Sequence, residues 1–331
     1  MTALASLYPD EAARAVRAEA ALPGTYAEVA ARSSLTEEQA MAALHVLRGA
    51  GRVVLDRGVY SKATPEQLLL AGLGRGTPEL RARVLAELPG NAVQRYVGVS
   101  GFMSRAEVDA ALAALPAGLT LMAGVLASAK GTFGAGNKYP LRYPKAADIS
   151  GIFSPDARCL NLLHWSSGET PDEALVEMLR TVAGPHCHGF QFNGAWPLTS
   201  TLAGLSGGHV VLQYRPGKSS LDLLRASVAA CRNVQAHVLI DGSGGRGEAL
   251  DGDQTEAIVG VLRYRFGPSV GIGIAGGLCA EALPSIARLV RLGHLSIDAE
   301  GRLRDGDHGG TLNLDKVRAY LAAAGVAMGA S

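Results

Sequence analysis

Residues 188–214 read HGFQFNGAWPLTSTLAGLSGGHVVLQY. Two short apolar runs, HGFQFN (188–193) and HVVLQY (209–214), stand either side of a helical stretch at 198–205, with glycines at the joints. Strand, helix and strand in so short a span make a parallel βα unit. The alternation of the first strand sorts its side chains. Phe190 and Phe192 suit a face covered by helices, which turns Gln191 and Asn193 the other way.

The pattern continues in both directions. Further strands are expected at YVGVS (96–100), LTLMAGVLAS (119–128), LNLLHW (160–165), AHVLID (236–241), VGIGIAG (270–276) and LSIDA (295–299). Helical segments fall at 104–115, 171–183, 219–232, 253–265, 279–292 and 313–324, and the interval after the second strand reads as mostly loop. Eight strands in about 235 residues fit an α/β fold, a (β/α)8 TIM barrel over residues 95–331. An open doubly wound sheet would need a glycine-rich fingerprint after its first strand, and VGVSGFMSRAEV is a poor one.

In a barrel of this kind the strand C-termini and the loops after them form the active face. Counting alternate residues brings Ser100, His164, Gln191, Asn193, Gln213, Asp241 and Asp298 to or near that mouth, with Lys130 in the loop after the second strand. Barrel interiors are normally filled by Val, Ile and Leu, so this convergence of polar groups points to a pocket. Asp241 is the candidate acid/base residue, because a carboxylate at the mouth can move protons next to a carbonyl or imine. Its alternative is a hydrogen bond to the glycine N–H groups that follow it. Ser100 and His164 are candidates to assist, and Lys130, Gln191, Asn193, Gln213 and Asp298 to hold substrate polar groups. Gly244, Gly245 and Gly247 after the sixth strand, Gly276 and Gly277 after the seventh, and Gly301 after the eighth would let backbone N–H groups approach a phosphate. A helix starting near Cys279 would add its positive end. Lys130, Lys138 and Arg142 could together form a lid over an anionic substrate.

No cofactor or metal is expected. His186-Cys187-His188 opens the fourth strand at the far end of the barrel, without an identifiable third ligand. Asp305-Gly306-Asp307-His308-Gly309-Gly310 lacks the spacing and terminal Glu of a calcium loop.

Residues 1–63 read as a separate module. Helices are expected at 10–21, at YAEVAAR behind a Thr25–Glu28 capping box, and at EEQAMAALHVLRGAG behind Thr36. RVVLDRGVYSK then forms a hairpin turning at Asp56-Arg57-Gly58. This order resembles a winged helix-turn-helix, and residues 64–94 read as a connector of two helices. Residues 1–90 hold ten Lys/Arg and ten Asp/Glu, and Thr36-Glu37-Glu38-Gln39 opens the would-be recognition helix, so charge disfavours DNA. A protein partner, capture of a peptide, or dimerisation suits the module better.

Composition narrows the class. With 48% hydrophobic and 18% charged residues a large core is available, and a net charge of +1 excludes an electrostatic partner of nucleic acid or anionic membrane. No run of about 18 uncharged apolar residues occurs, so no membrane span is expected. Four scattered cysteines, Cys159, Cys187, Cys231 and Cys279, read as buried thiols in a reducing compartment, and a cytoplasmic protein is expected.

Several short motifs carry a resemblance. Gln191-Phe192-Asn193-Gly194 lies on the fourth strand, Asp241-Gly242-Ser243-Gly244-Gly245-Arg246-Gly247-Glu248 follows the sixth, and Ala275-Gly276-Gly277-Leu278 ends the seventh. Asp315, Lys316, Val317 and Tyr320 lie in the last helix. These resemble the Q-L-H-G, D…G-G-x-G-K, A-G-G-L and K-D-x-x-K-[IV]-x-x-[FY] segments of phosphoribosylanthranilate isomerase, an Amadori-type isomerase. The resemblance implies a TIM barrel, a catalytic Asp241 and a phosphate cradle from the late glycines. Two positions depart from it. Ser100-Gly101-Phe102-Met103 stands where that family has a catalytic Cys in C-G-[LI]-T, and serine is a far poorer proton shuttle near neutral pH. Glu300-Gly301 replaces a phosphate-binding Ser-Gly, and a carboxylate there repels phosphate unless Arg302 or Arg304 offsets it.

The expected function is an isomerase or lyase acting on a phosphorylated sugar or phosphoribosylated small molecule by proton transfer at the barrel mouth. The competing class is a non-catalytic sensor or peptide-binding regulator that uses the winged helix.

Overall fold

A computed structural model describes Arg14, Ala18 and residues 21–37, 39–41, 43–44, 53–56, 59–62, 93–134, 136–241, 252–306 and 309–330. The chain divides into two compact units, Met1–Val84 with Glu256–Arg265, and Leu85–Thr255 with Phe266–Ser331. The sequence boundary at 63 lies among residues outside those described.

In the first unit, helix α1 spans Tyr26–Ser33. Thr25 Oγ1 accepts from Glu28 N at 3.4 Å and Thr25 N donates back to Glu28 Oε2 at 2.8 Å, the capping box that the spacing predicts. Ser34, with φ 54°, closes the helix. Thr36 and Gln39 then exchange backbone-to-side-chain bonds of 3.1 and 3.2 Å, which start the next helical residues. Val29, Ala30, Leu35, Ala40 and Leu44 form the buried core. Strand β1 (Val53–Asp56) pairs antiparallel with β2 (Val59–Lys62), with Asp56 opposite Val59. The rest of the expected winged helix and residues 64–92 of the connector lie outside the described residues.

The second unit holds a closed barrel of eight parallel strands. These are β3 (Val97–Ser100), β4 (Leu121–Ala127), β5 (Cys159–Ser167), β6 (Gly189–Gly194), β7 (His209–Tyr214), β8 (Gln235–Asp241), β9 (Gly271–Ala275) and β10 (Ser296–Ala299). Each pairs with its neighbour in sequence, and Ile297 opposite Val97 and opposite Ile274 closes the ring. All eight strands fall where the alternation predicts them. The helices between the strands in sequence are α2 (Arg105–Ala114), α3 (Ala146–Ile152), α4 (Glu173–Ala183), α5 (Thr199–Gly204), α6 (Leu221–Ala230), α7 (Gly252–Phe266), of which Glu256–Arg265 belongs to the first unit, and α8 (Leu283–Leu292), and α9 (Leu314–Met328) follows the last strand.

Local chemistry fixes these helices. Ser104 and Glu107 form a capping box on α2, which then buries Val108, Ala111 and Leu112 at helical spacing. Asn313 Oδ1 accepts from Asp315 N and Lys316 N at the start of α9, and Gly329, with φ 73°, ends it. The second interval is mostly loop, as read, with one short helix, α3, behind an uncapped Lys145. One expectation needs correcting. The helix expected from Cys279 begins only at Leu283, because Cys279–Ala282 first makes a separate turn and Pro284 favours the first helical turn.

Inside the barrel, Tyr96, Met122, Leu162, Val211, Leu239 and Ala275 form an apolar layer. The mouth lies one step further along each strand.

Candidate functional site

The parity that points those residues inward continues along the strands to Ser100, His164, Gln191, Gln213, Asp241 and Asp298. All six line one cavity of about 330 Å³ at the C-terminal ends of the strands, the size of a small-metabolite site. Asn193, Gly276, Gly277 and Gly301 line it as well. Gly244, Gly245 and Gly247 lie outside the described residues.

The interior is wired in two clusters. Ser100 Oγ donates to Asp298 Oδ1 at 2.7 Å and sits 3.5 Å from His164 Nδ1. Glycine makes room for this. A Cβ at Gly98 would come within 2.7 Å of Asp298 Oδ1, and one at Gly124 within 2.7 Å of both Ser100 Oγ and His164 Nε2. Burial pushes the Asp298 carboxyl up to about 7, against the Ser100 hydrogen bond and with help from the negative charges of Glu300 and Asp241. Burial also holds the His164 imidazole down at about 3, so it is neutral at physiological pH. In the second cluster, Gln213 Nε2 donates to Asp241 Oδ2 at 2.7 Å, while Trp196 Nε1 pins the Gln213 carbonyl at 3.1 Å. Gln191 Nε2 donates to Asn193 Oδ1 at 3.1 Å between the two clusters. Gln191 Oε1 and His164 Nε2 are buried without a hydrogen-bond partner.

The rim is cationic in places that the strand count did not reach. Arg215, two residues beyond Gln213 and of the same parity, lines the cavity with its Nε buried and unpartnered. Its backbone is held by a turn in which Arg215 N donates to Ser219 Oγ at 3.1 Å. Arg142 and Tyr143, from the long loop after β4, also line the cavity, as do Ser166 and Arg302. Parity would have found Ser166 and Arg215, since each lies two residues beyond an inward polar side chain. Arg142 came from the loop's charge alone.

Glu300 does not face the cavity alone. Arg142 Nη2 donates to its Oε2 at 2.9 Å, and Arg304 Nε lies 3.5 Å from its Oε1. Arg304 therefore offsets the carboxylate as expected, with Arg142 as a partner that sequence did not name. Arg304, 1% exposed, also donates to the carbonyls of Gly101 at 3.0 Å, Leu141 at 3.2 Å and Gly310 at 2.7 Å. One guanidinium thus ties together the loops after β3, β4 and β10.

Lys130 needs correcting. Immediately after β4 the chain curls, with Gly131 N on Ser128 Oγ at 3.0 Å and Thr132 N on Ser128 O at 3.0 Å. That turn leaves Lys130 exposed and off the cavity wall. Arg142, from the same loop, lines the cavity instead. At the opposite end of the barrel, His188 Nδ1 accepts from Asn161 N at 2.9 Å, a structural bond that uses the lone pair a metal would need. Among the described residues, no group of three His, Cys, Asp or Glu is placed to hold a metal ion. No described helix is long and apolar enough to cross a membrane.

No family model matches the chain, and no curated protein matches it. Among solved structures, phosphoribosyl anthranilate isomerase from Thermus thermophilus is similar at 15% identity and a TM-score of 0.49, over 69% of this chain and 98% of that one. The flavin-binding domain of baker's yeast flavocytochrome b2 is similar at 11% identity and a TM-score of 0.38, over 74% of this chain and 70% of that one. Likenesses this distant carry no inference about ligand or reaction. The closed ring of eight parallel strands establishes the fold by itself: the second unit is a TIM barrel.

Proposed function

We propose that the barrel is an enzyme, an isomerase or lyase, that binds a phosphorylated sugar or a phosphoribosylated small molecule and moves protons on it, with Asp241 as the acid/base residue. The observation that carries this reading is the make-up of the mouth. Five inward polar side chains, Ser100, His164, Gln191, Gln213 and Asp298, surround a carboxylate oriented by Gln213, and an arginine that has no ion pair among the described residues stands at the rim. Packing alone gives no reason for such a lining.

An anionic ligand is supported on the charge side. Arg142 and Arg304 satisfy Glu300, so its carboxylate is neutralised, while Arg215 lines the cavity with its Nε unpartnered among the described residues. Gly276 and Gly277, with φ of 107° and 62°, present backbone at the cavity wall in conformations that side-chain-bearing residues avoid. Phosphate held against such backbone is a recurrent arrangement after the seventh and eighth strands of barrels.

The test is incubation of the protein in D2O with pentose and hexose phosphates and phosphoribosylated aryl amines, reading deuterium at carbon by NMR. Ligand-dependent incorporation is expected, reduced by about 10²–10⁴-fold in Asp241→Asn with binding retained. Full exchange in that variant would overturn the assignment of Asp241.

A further inference from the structure

Asp241 is not the only buried carboxyl of the mouth. Asp298, level with it in the strand register on β10 and 6% exposed, is joined through Ser100 on β3 toward His164 on β5. Three side chains from three strands thus stand in a line, and the line exists only because β3 and β4 carry glycine at 98 and 124. The groups facing Asp298 are two buried tyrosine hydroxyls without hydrogen-bond partners, Tyr96 before β3 and Tyr320 on α9, the amide of Gln191, and the carboxylates of Glu300 and Asp241. Arg142 and Arg304 are engaged with Glu300, two residues further along the chain, while Arg215 and Arg302 line the same cavity. A carboxyl so placed, hydrogen-bonded to a hydroxyl that itself lines the cavity, is connected to whatever occupies that cavity.

We propose that Ser100 and Asp298 form a proton relay serving the ligand, with His164 beside the Ser100 oxygen on the other side. The relay deepens the proton-transfer reading above and rests on it. When a ligand atom gives its proton to Ser100 Oγ, the proton already on Ser100 passes to Asp298 Oδ1. The reverse sequence returns a proton to a neighbouring ligand atom. Because the Ser100 hydroxyl donates to Asp298, the tautomer of His164 that carries its proton on Nδ1 is the one that would stabilise negative charge gathering on Oγ as the two transfers fall out of step. No proton is gained or lost over the cycle, and no other reactant is consumed. Serine here does not act as an acid on its own pKa. It conducts a proton to a carboxyl that binds one near neutral pH, where burial has placed it.

The experiment needs no ligand. In the full-length protein labelled with 13C at the aspartate carboxyls, one resonance is expected to titrate with a midpoint near 7 and to vanish in Asp298→Asn. Ser100→Ala, which removes a hydrogen bond to the charged form, is expected to raise that midpoint by about one unit, and Ser100→Cys to move it less. A midpoint near 4, with the surface aspartates, or one indifferent to Ser100→Ala, overturns the relay. If Asp298→Asn fails to fold, the Ser100→Ala titration decides by itself. These outcomes leave the Asp241 assignment standing, and failure of Asp241 in the deuterium experiment leaves the titration untouched.

Discussion

Arg304→Met removes the guanidinium that joins three loops of the mouth while keeping a side chain of similar length. The wild-type group makes three hydrogen bonds to carbonyls, at 2.7, 3.0 and 3.2 Å, and lies beside Glu300 in a site 1% exposed. Hydrogen bonds from a charged donor contribute about 1.5–3 kcal/mol each, an upper sum of roughly 5–9 kcal/mol. Against this, the variant no longer buries a cation, which in a protein interior recovers several kcal/mol. Glu300 retains Arg142, so the acid is not stranded. The carbonyls of Gly101, Leu141 and Gly310 lose their donor, and the expected net loss is about 3–5 kcal/mol. Urea unfolding followed by tryptophan fluorescence reads this directly, because Trp165 and Trp196 are both buried in the barrel. Arg304→Lys, which keeps the charge but loses the fork, should fall between. A loss under about 1 kcal/mol in Arg304→Met would show that the three loops hold their positions without it.

Other perturbations give separate readings. Gly124→Ala places a methyl within 2.7 Å of Ser100 Oγ and of the His164 ring, and it should cost about 1–3 kcal/mol in urea midpoint analysis while displacing both side chains. Arg215→Gln breaks no ion pair and should stay within about 0.5 kcal/mol of wild-type stability, yet weaken a phosphorylated ligand about tenfold or more by calorimetry. Burial keeps His164 and His237 near 3 and Asp298 near 7, so between about pH 4.5 and 6 the unfolded chain binds protons on two histidines that the folded one lacks, while the folded chain keeps one on Asp298. Stability should therefore rise with pH there, and Asp298→Asn, which removes the opposing contribution, should steepen the slope by about 1.4 kcal/mol per pH unit. An unchanged slope would contradict a protonated Asp298.

The barrel was legible because its determinants are local and periodic. HVVLQY spans the strand His209–Tyr214 to the residue, and Phe190 and Phe192 mark which side of β6 faces the helices. The same parity placed Ser100, His164, Gln191, Gln213, Asp241 and Asp298 on one cavity wall, since a period of two needs no knowledge of partners. Where the chain leaves regular structure, this reasoning stops. Lys130 was assigned by proximity to a strand end, but the turn after Ser128 directs it to solvent. Arg142 reaches Glu300 across 158 positions of sequence, and Arg304 reaches Gly101 across 203, distances that no local pattern encodes. The Ser100–Asp298 contact was equally hidden. It depends on β3 closing the ring against β10, and therefore on the barrel as a whole.

The central claim is that the mouth of the barrel takes a phosphorylated small molecule. Differential scanning fluorimetry against sugar phosphates, phosphoribosylated anthranilate analogues, nucleotides and inorganic phosphate, each organic ligand beside its dephosphorylated counterpart, tests it most directly. A ligand at about 100 times its Kd stabilises by about 2.7 kcal/mol, roughly 5–11 °C in a domain of this size. The account predicts such a shift with one or more phosphorylated ligands only, diminished in Arg215→Gln. No shift with any of them, or equal shifts with and without the phosphate, would contradict it.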